Sequence, residues 1–165
     1  MDCLKINTHS PEETQKLGMA IGEVAEPGDV YLLIGNLGAG KTCLTQGIAW
    51  GLGVKGYALS PSFVLVRQLL GRLPLYHIDL YRLDRLDEIA DLGLEDYLYG
   101  RGVSVVEWAD KGMSLLPAEH LLIRLDCPAE NERTLELVAK GKRYQRRVER
   151  LESIWCGKTK HAAGD

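Results

Sequence analysis

Val30-Tyr31-Leu32-Leu33-Ile34-Gly35-Asn36-Leu37-Gly38-Ala39-Gly40-Lys41-Thr42 is the stretch on which the fold of this chain turns. Its first five residues are an unbroken apolar run, the pattern of a strand buried on both faces. Gly35 to Thr42 then match G-x-x-x-x-G-K-[ST] in full, between that strand and a helix read from Cys43 to Leu52 and ended by Gly53. Glycines let the backbone curl until successive N–H groups point inward at an anion, and the helix that follows presents its positive end to the same place. In such a loop the lysine reaches the β and γ phosphates of a nucleotide and the final hydroxyl ligates magnesium. The expectation is therefore a site for ATP and Mg2+, with Gly38, Ala39, Gly40, Lys41, Thr42 and Cys43 around the phosphates.

Working outward, Leu4 to Asn7 reads as a short strand. In Ser10-Pro11-Glu12-Glu13, Ser caps a helix, Pro takes its first position and Glu13 completes a capping box; the helix runs to about Ala25. Downstream of the loop, the runs Ser62 to Leu69 and Leu73 to Asp79 flank Gly71-Arg72 as a hairpin. Helical turns over Leu86 to Tyr99 precede a buried strand, Val103 to Val106. Strands over Leu121 to Leu125 and Thr134 to Val138 follow, and a charged helix from Arg143 to about Ile154 closes the domain. The pattern predicts an α/β fold, a P-loop NTPase three-layer sandwich with a mixed, mostly parallel central sheet. One ATPase domain is expected over residues 1–156, with a flexible tail over 157–165 that has almost nothing to bury.

Composition narrows the class further. With 45% hydrophobic and 26% charged residues over 165 positions, the chain has the material for a core of its own, so disorder is not expected. No apolar run approaches the roughly 20 residues that cross a bilayer, and Met1-Asp2-Cys3-Leu4-Lys5 lacks the plan of a signal peptide; a cytoplasmic protein is expected. Cys3, Cys43, Cys127 and Cys156 form no C-x-x-C pair and read as free, mostly buried thiols. A net charge of −3 argues against nucleic-acid binding over the whole surface. The balance is uneven, though. From Lys140 to Lys160, Lys140, Lys142, Arg143, Arg146, Arg147, Arg150, Lys158 and Lys160 outweigh Glu149 and Glu152, giving about +6. A solvated helix face is the plainer reading of that run, and a contact for RNA or an acidic partner the other.

A phosphate loop needs a carboxylate to complete its metal site, and two acids end apolar strands: Asp79 after Leu75-Tyr76-His77-Ile78, and Glu107 after Val103-Ser104-Val105-Val106. Strands buried on both faces leave few places for charge, and open α/β sheets put their ligands at the carboxyl ends of strands. Either acid alone could cap a turn or pair with a base such as Arg82; both together point to the metal. His77 reads as a structural histidine without assigned chemistry.

The loop, Ser60-Pro61-Ser62-Phe63, His77-Ile78-Asp79-Leu80-Tyr81-Arg82 and Glu107-Trp108 together resemble the TsaE family, also called YjeE, over about residues 4 to 140 in the family's order and spacing. The resemblance implies an ATPase that works with the TsaD and TsaB proteins. Its pathway installs threonylcarbamoyl on the adenosine beside the anticodon of tRNAs reading codons that begin with A. ATP binding would support docking on that pair, hydrolysis would reset it, and tRNA would be met through the complex. It further implies that Lys41 and Thr42 keep their loop roles, Glu107 is the second magnesium ligand and Asp79 an essential acid near the γ phosphate. Arg133 matches a nucleotide-contacting base, and Thr8 or His9 lies near the adenine. Ser60 to Phe63 would be the switch loop, with Ser62 where the family often has Thr, and Trp108 is either a partner-facing or nucleotide-sensing aromatic or plain packing.

Two other functions fit a phosphate loop. A small-molecule kinase adds a lid rich in arginine, whereas Arg67, Arg72, Arg82, Arg85 and Arg101 are dispersed here. A GTPase-type module reads guanine through N-K-x-D, which this chain lacks.

Overall fold

The computed structural model describes residues 2–36, 38–57 and 65–163, with side chains through residue 156. The strands are β1 (Cys3–Thr8), β2 (Val30–Gly35), β3 (Val66–Leu70), β4 (Pro74–Asp79), β5 (Val103–Glu107), β6 (His120–Ala129) and β7 (Glu132–Lys140). They form one seven-stranded sheet in the order β1-β7-β6-β2-β5-β4-β3. The centre, β6-β2-β5-β4, is parallel. The margins are antiparallel, β1 on β7, β7 on β6 and β3 on β4, so the sheet is mixed as expected.

The helices are α1 (Pro11–Val24), α2 (Lys41–Gly51), α3 (Leu86–Ala90), α4 (Glu95–Leu98) and α5 (Lys142–Ala163). They cover both faces of the sheet, which is why β2 had to be apolar throughout. Tyr31 and Leu33 point to one side, into a cluster with Leu17 and Ile21 of α1, Leu44 and Ile48 of α2, and Tyr144 and Val148 of α5. Val30 and Leu32 point to the other, against Ile89 of α3, Leu98 of α4, Val106 and Leu122. The result is a three-layer α/β sandwich. Because β2 lies between β5 and β6, the loop that leaves its carboxyl end opens into the crevice beside the ends of two strands the chain reaches much later.

Local chemistry starts and joins these elements. Ser10 caps α1, its Oγ accepting from the Glu13 amide at 3.1 Å, with Pro11 at the first helical position. The α1 and α2 backbones approach closely through Gly18 and Gly22 on one and Gly47 and Gly51 on the other; a Cβ on Gly18 would lie 2.4 Å from the Leu44 carbonyl oxygen. At the opposite end of β2 from the loop, buried Asp29 takes hydrogen bonds from Tyr31 Oη at 2.7 Å, Arg143 Nε at 2.8 Å and Arg147 Nε at 2.8 Å, tying α5 to the sheet. Arg72 in the β3–β4 turn donates to the Gly22, Glu23 and Ala25 carbonyls and so satisfies the C-terminal end of α1.

Some boundaries differ from the sequence reading. β6 and β7 are longer than their apolar centres because an antiparallel pair continues into its exposed turn, where pattern carries no burial signal. The α5 backbone continues to Ala163 rather than ending near Ile154, since no proline interrupts it and a single interior glycine costs only about 1 kcal/mol. The cysteines are free as read, but Cys3, Cys127 and Cys156 are exposed and Cys43 is half-buried, so the expectation of mostly buried thiols fails; Cys3 and Cys127 sit at sheet positions that face water. Ser60 to Phe63 lie outside the described residues, as does Leu37. No helix among the described residues is long and apolar enough to cross a membrane.

Candidate functional site

Two left-handed glycines shape the loop. Gly38 has φ 81° and Gly40 φ 104°, the region closed to most side chains, and Gly40 is the residue from which α2 starts. Eleven residues of α2 then direct their positive end at the loop. The Lys41 side chain curls back over it. Nζ donates to the Gly35 carbonyl at 2.5 Å and the Asn36 carbonyl at 2.9 Å and stands 4.0 Å from the centroid of the Trp108 ring. Burial lowers the pKa of this ammonium, opposed by the charges of Glu107, Asp110 and Asp79.

Beneath the loop lies Glu107, the last residue of β5 and only 2% exposed. Thr42 Oγ1, at the exposed mouth, donates to Glu107 Oε1 at 3.2 Å. Thr45 Oγ1, one turn further along α2, donates to the Lys41 carbonyl at 2.8 Å and stands 3.4 Å from Glu107 Oε2. The same Oε2 is hydrogen-bonded by Nε2 of His77, a residue of β4 with no exposed surface. Asp79, at the end of β4, is the register neighbour of Glu107. It is half-buried and accepts from the Tyr81 amide at 2.9 Å; burial raises its carboxyl above the usual range, the Tyr81 hydrogen bond opposing that.

The donor set suits magnesium. Thr42 and Glu107 offer hard oxygens already within hydrogen-bonding distance of each other, with the Asp79 carboxylate on the adjacent strand end. Among the described residues no group of three or more His, Cys, Asp or Glu side chains forms a self-sufficient metal cage. A magnesium ion at a nucleotide site is commonly held by one or two protein oxygens and completed by phosphate and water.

The remaining candidates surround the loop at different depths. Arg133 is next to Gly40, and its Nη1 donates to the Glu132 carbonyl at 3.0 Å and the Glu130 carbonyl at 3.1 Å. It lines a cleft with Ser10, Pro11, Thr14, Gly40 and Cys43. Cys43 is half-buried with Sγ 3.2 Å from the Pro11 carbonyl, and burial pushes its thiol pKa up. Thr8 is buried behind this cleft, its hydroxyl 2.6 Å from that of Thr14. His9 is exposed, 4.0 Å from Glu132. Trp108 takes φ 57° and ψ 38°, an uncommon conformation for a bulky residue, and packs on Tyr81 with ring centroids 4.9 Å apart.

Two members of the site escaped sequence reading. Thr45 is simply a helix residue to any pattern. His77 was visible in the apolar run ending at Asp79, but a lone histidine does not announce which carboxylate it will face.

Comparisons with known proteins agree on one family. The model of the family described as "Threonylcarbamoyl adenosine biosynthesis protein TsaE" matches residues 8–135. A Bacillus subtilis protein named tRNA threonylcarbamoyladenosine biosynthesis protein TsaE is 43% identical over 152 residues, 92% of this chain and 95% of that protein. Its namesake from Treponema pallidum is 40% identical over 128 residues, 78% of this chain and 95% of that protein. Among solved structures, the crystal structure of Bacillus subtilis YdiB superposes with a TM-score of 0.81 at 39% identity, covering 92% of this chain and 95% of that one.

Proposed function

The chain belongs to the TsaE family, and from that premise we propose that it is the Mg2+-dependent ATPase of tRNA threonylcarbamoyladenosine synthesis. It binds ATP, docks on TsaD and TsaB, and uses slow hydrolysis to reset that assembly, meeting tRNA through the complex. The observation that carries the reading is the Thr42–Glu107 hydrogen bond of 3.2 Å, because it joins the phosphate loop to the strand-end acid that a P-loop metal site requires.

In this reading the backbone amides of Gly38, Ala39, Gly40, Lys41, Thr42 and Cys43 cradle the phosphates at the α2 N-terminus. Lys41 exchanges the Gly35 and Asn36 carbonyls for β and γ phosphate oxygens, a stronger, charge-assisted partnership. Thr42 and Glu107 hold magnesium, which when bound neutralises phosphate charge. Asp79 faces the γ phosphate end of the site, where its raised pKa suits a group that handles a proton of the attacking water. Arg133 clamps phosphate from the start of β7, and the Thr8–Thr14 pair backs the adenine side. Hydrolysis by the protein alone is slow in this reading, a partner supplying the group that steadies the transferred phosphoryl.

The test is tRNA modification over many turnovers by TsaD and TsaB supplied with threonylcarbamoyl-adenylate and ATP. Sustained turnover with this protein, and none with its Lys41→Ala form, is expected. Equal turnover without it, using partners from the same organism, would refute the pathway assignment, and strong phosphorylation of a small metabolite in a parallel screen would favour a kinase.

A further inference from the structure

Glu107 has two oxygens with separate partners. Oε1 faces the Thr42 hydroxyl at the exposed mouth, and Oε2 faces His77 Nε2 and Thr45 in the interior. With Glu107 ionised, as a magnesium ligand has to be, its oxygens only accept, so the His77 ring donates through Nε2–H. The other ring nitrogen, Nδ1, is buried with no hydrogen-bond partner among the described residues. A histidine serving only to fill the sheet, opposite Val105 on β5, would leave that nitrogen orphaned at a cost which an apolar residue avoids. What offsets the cost is the bond to Glu107.

We infer that His77 is a positioning residue. Its Nε2–H anchors Glu107 Oε2 so that Oε1 stays turned toward Thr42, where these two residues would hold the metal. Neighbours of metal ligands commonly act this way, fixing a carboxylate that would otherwise sample several rotamers, and their loss weakens metal binding about 10- to 100-fold. Thr45 cannot replace the ring, because its hydroxyl hydrogen is already committed to the closer Lys41 carbonyl at 2.8 Å.

The inference rests on the proposed magnesium role of Glu107, and the experiment separates the two. Affinity for a fluorescent, non-hydrolysable ATP analogue is measured against magnesium concentration and in excess EDTA, for the unmutated protein, His77→Gln and His77→Asn, each first checked by thermal unfolding. Gln places an amide N–H near the position of Nε2; Asn places it near the orphan Nδ1 and falls short of Glu107. The expected result is a magnesium midpoint moved at least about tenfold in His77→Asn and less than about threefold in His77→Gln, with EDTA affinities within about twofold throughout. If His77→Asn does not fold, His77→Leu takes its place with the same expected shift. An unchanged midpoint in the folded Asn or Leu variant, or a tenfold shift in folded His77→Gln, overturns the positioning role. Loss of all magnesium dependence in the unmutated protein would instead remove the metal reading itself, and the inference with it.

Discussion

Gly47 of α2 lies so close to α1 that a Cβ on it would sit 2.2 Å from the carbonyl oxygen of Gln15. The obstacle is helix backbone, which cannot turn aside as a side chain would. Gly47→Ala is expected to destabilise the protein by about 3 kcal/mol, the upper end of ordinary overpacking, lowering Tm by about 6–12 °C in a domain of this size. Thermal unfolding measures it. A loss under about 2 °C would mean that the helices slide apart at little cost.

Asp29 and Arg147 form a buried ion pair remote from the phosphate loop, and Arg147 also bonds Glu26. Asp29→Ala strands a buried guanidinium and should lower stability by about 3–5 kcal/mol in urea titration. Replacing both residues, Asp29→Ala with Arg147→Leu, should recover part of that loss. Nucleotide affinity of the folded protein should be unchanged, because both residues sit at the far end of β2.

Asp79 carries a testable pH dependence. Burial raises its folded-state pKa above that of an ordinary exposed carboxyl, so between the unfolded and folded values the folded protein holds more protons than the unfolded one. Stability therefore falls as pH rises through that window, and ionised Asp79 weighs against the fold at neutral pH. Asp79→Asn keeps an oxygen for the Tyr81 amide and should raise Tm at pH 7 by about 1–2 °C while abolishing hydrolysis, the gain shrinking as pH drops toward the unperturbed carboxylate range. A lower Tm at pH 7 would contradict the burial argument.

Lys41 rests over the Trp108 ring at 4.0 Å, so withdrawal of its ammonium onto phosphate should change indole emission. In a protein with Trp50 and Trp155 replaced by Phe, ATP should alter fluorescence, and further replacement by Trp108→Phe should abolish the signal. An undiminished nucleotide response in Lys41→Met, at saturating ATP, would show that the ring reports something other than the lysine.

Much of the fold and part of the site could be read along the chain because their determinants are local. β2, the loop and the start of α2 are consecutive residues, and burial on two faces, glycine curvature and helix capping each leave a mark within a few positions. Asp79 and Glu107 were legible for a related reason: a charge that ends an apolar run is conspicuous. The parallel register that makes them neighbours was not, since it depends on β4 and β5 pairing side by side.

The sequence by itself determined an α/β chain built round a glycine loop that matches G-x-x-x-x-G-K-[ST], with its acids at strand ends. Tertiary structure alone decided that His77 and Thr45 converge on Glu107 from β4 and α2, because three positions separated by dozens of residues have no shared period. It also decided the fate of the basic C-terminal run. Charge counting treats Arg143 and Arg147 like Arg146 and Arg150, yet the first two turn inward to Asp29 while the others remain exposed, since only packing determines which face of a charged helix meets the sheet.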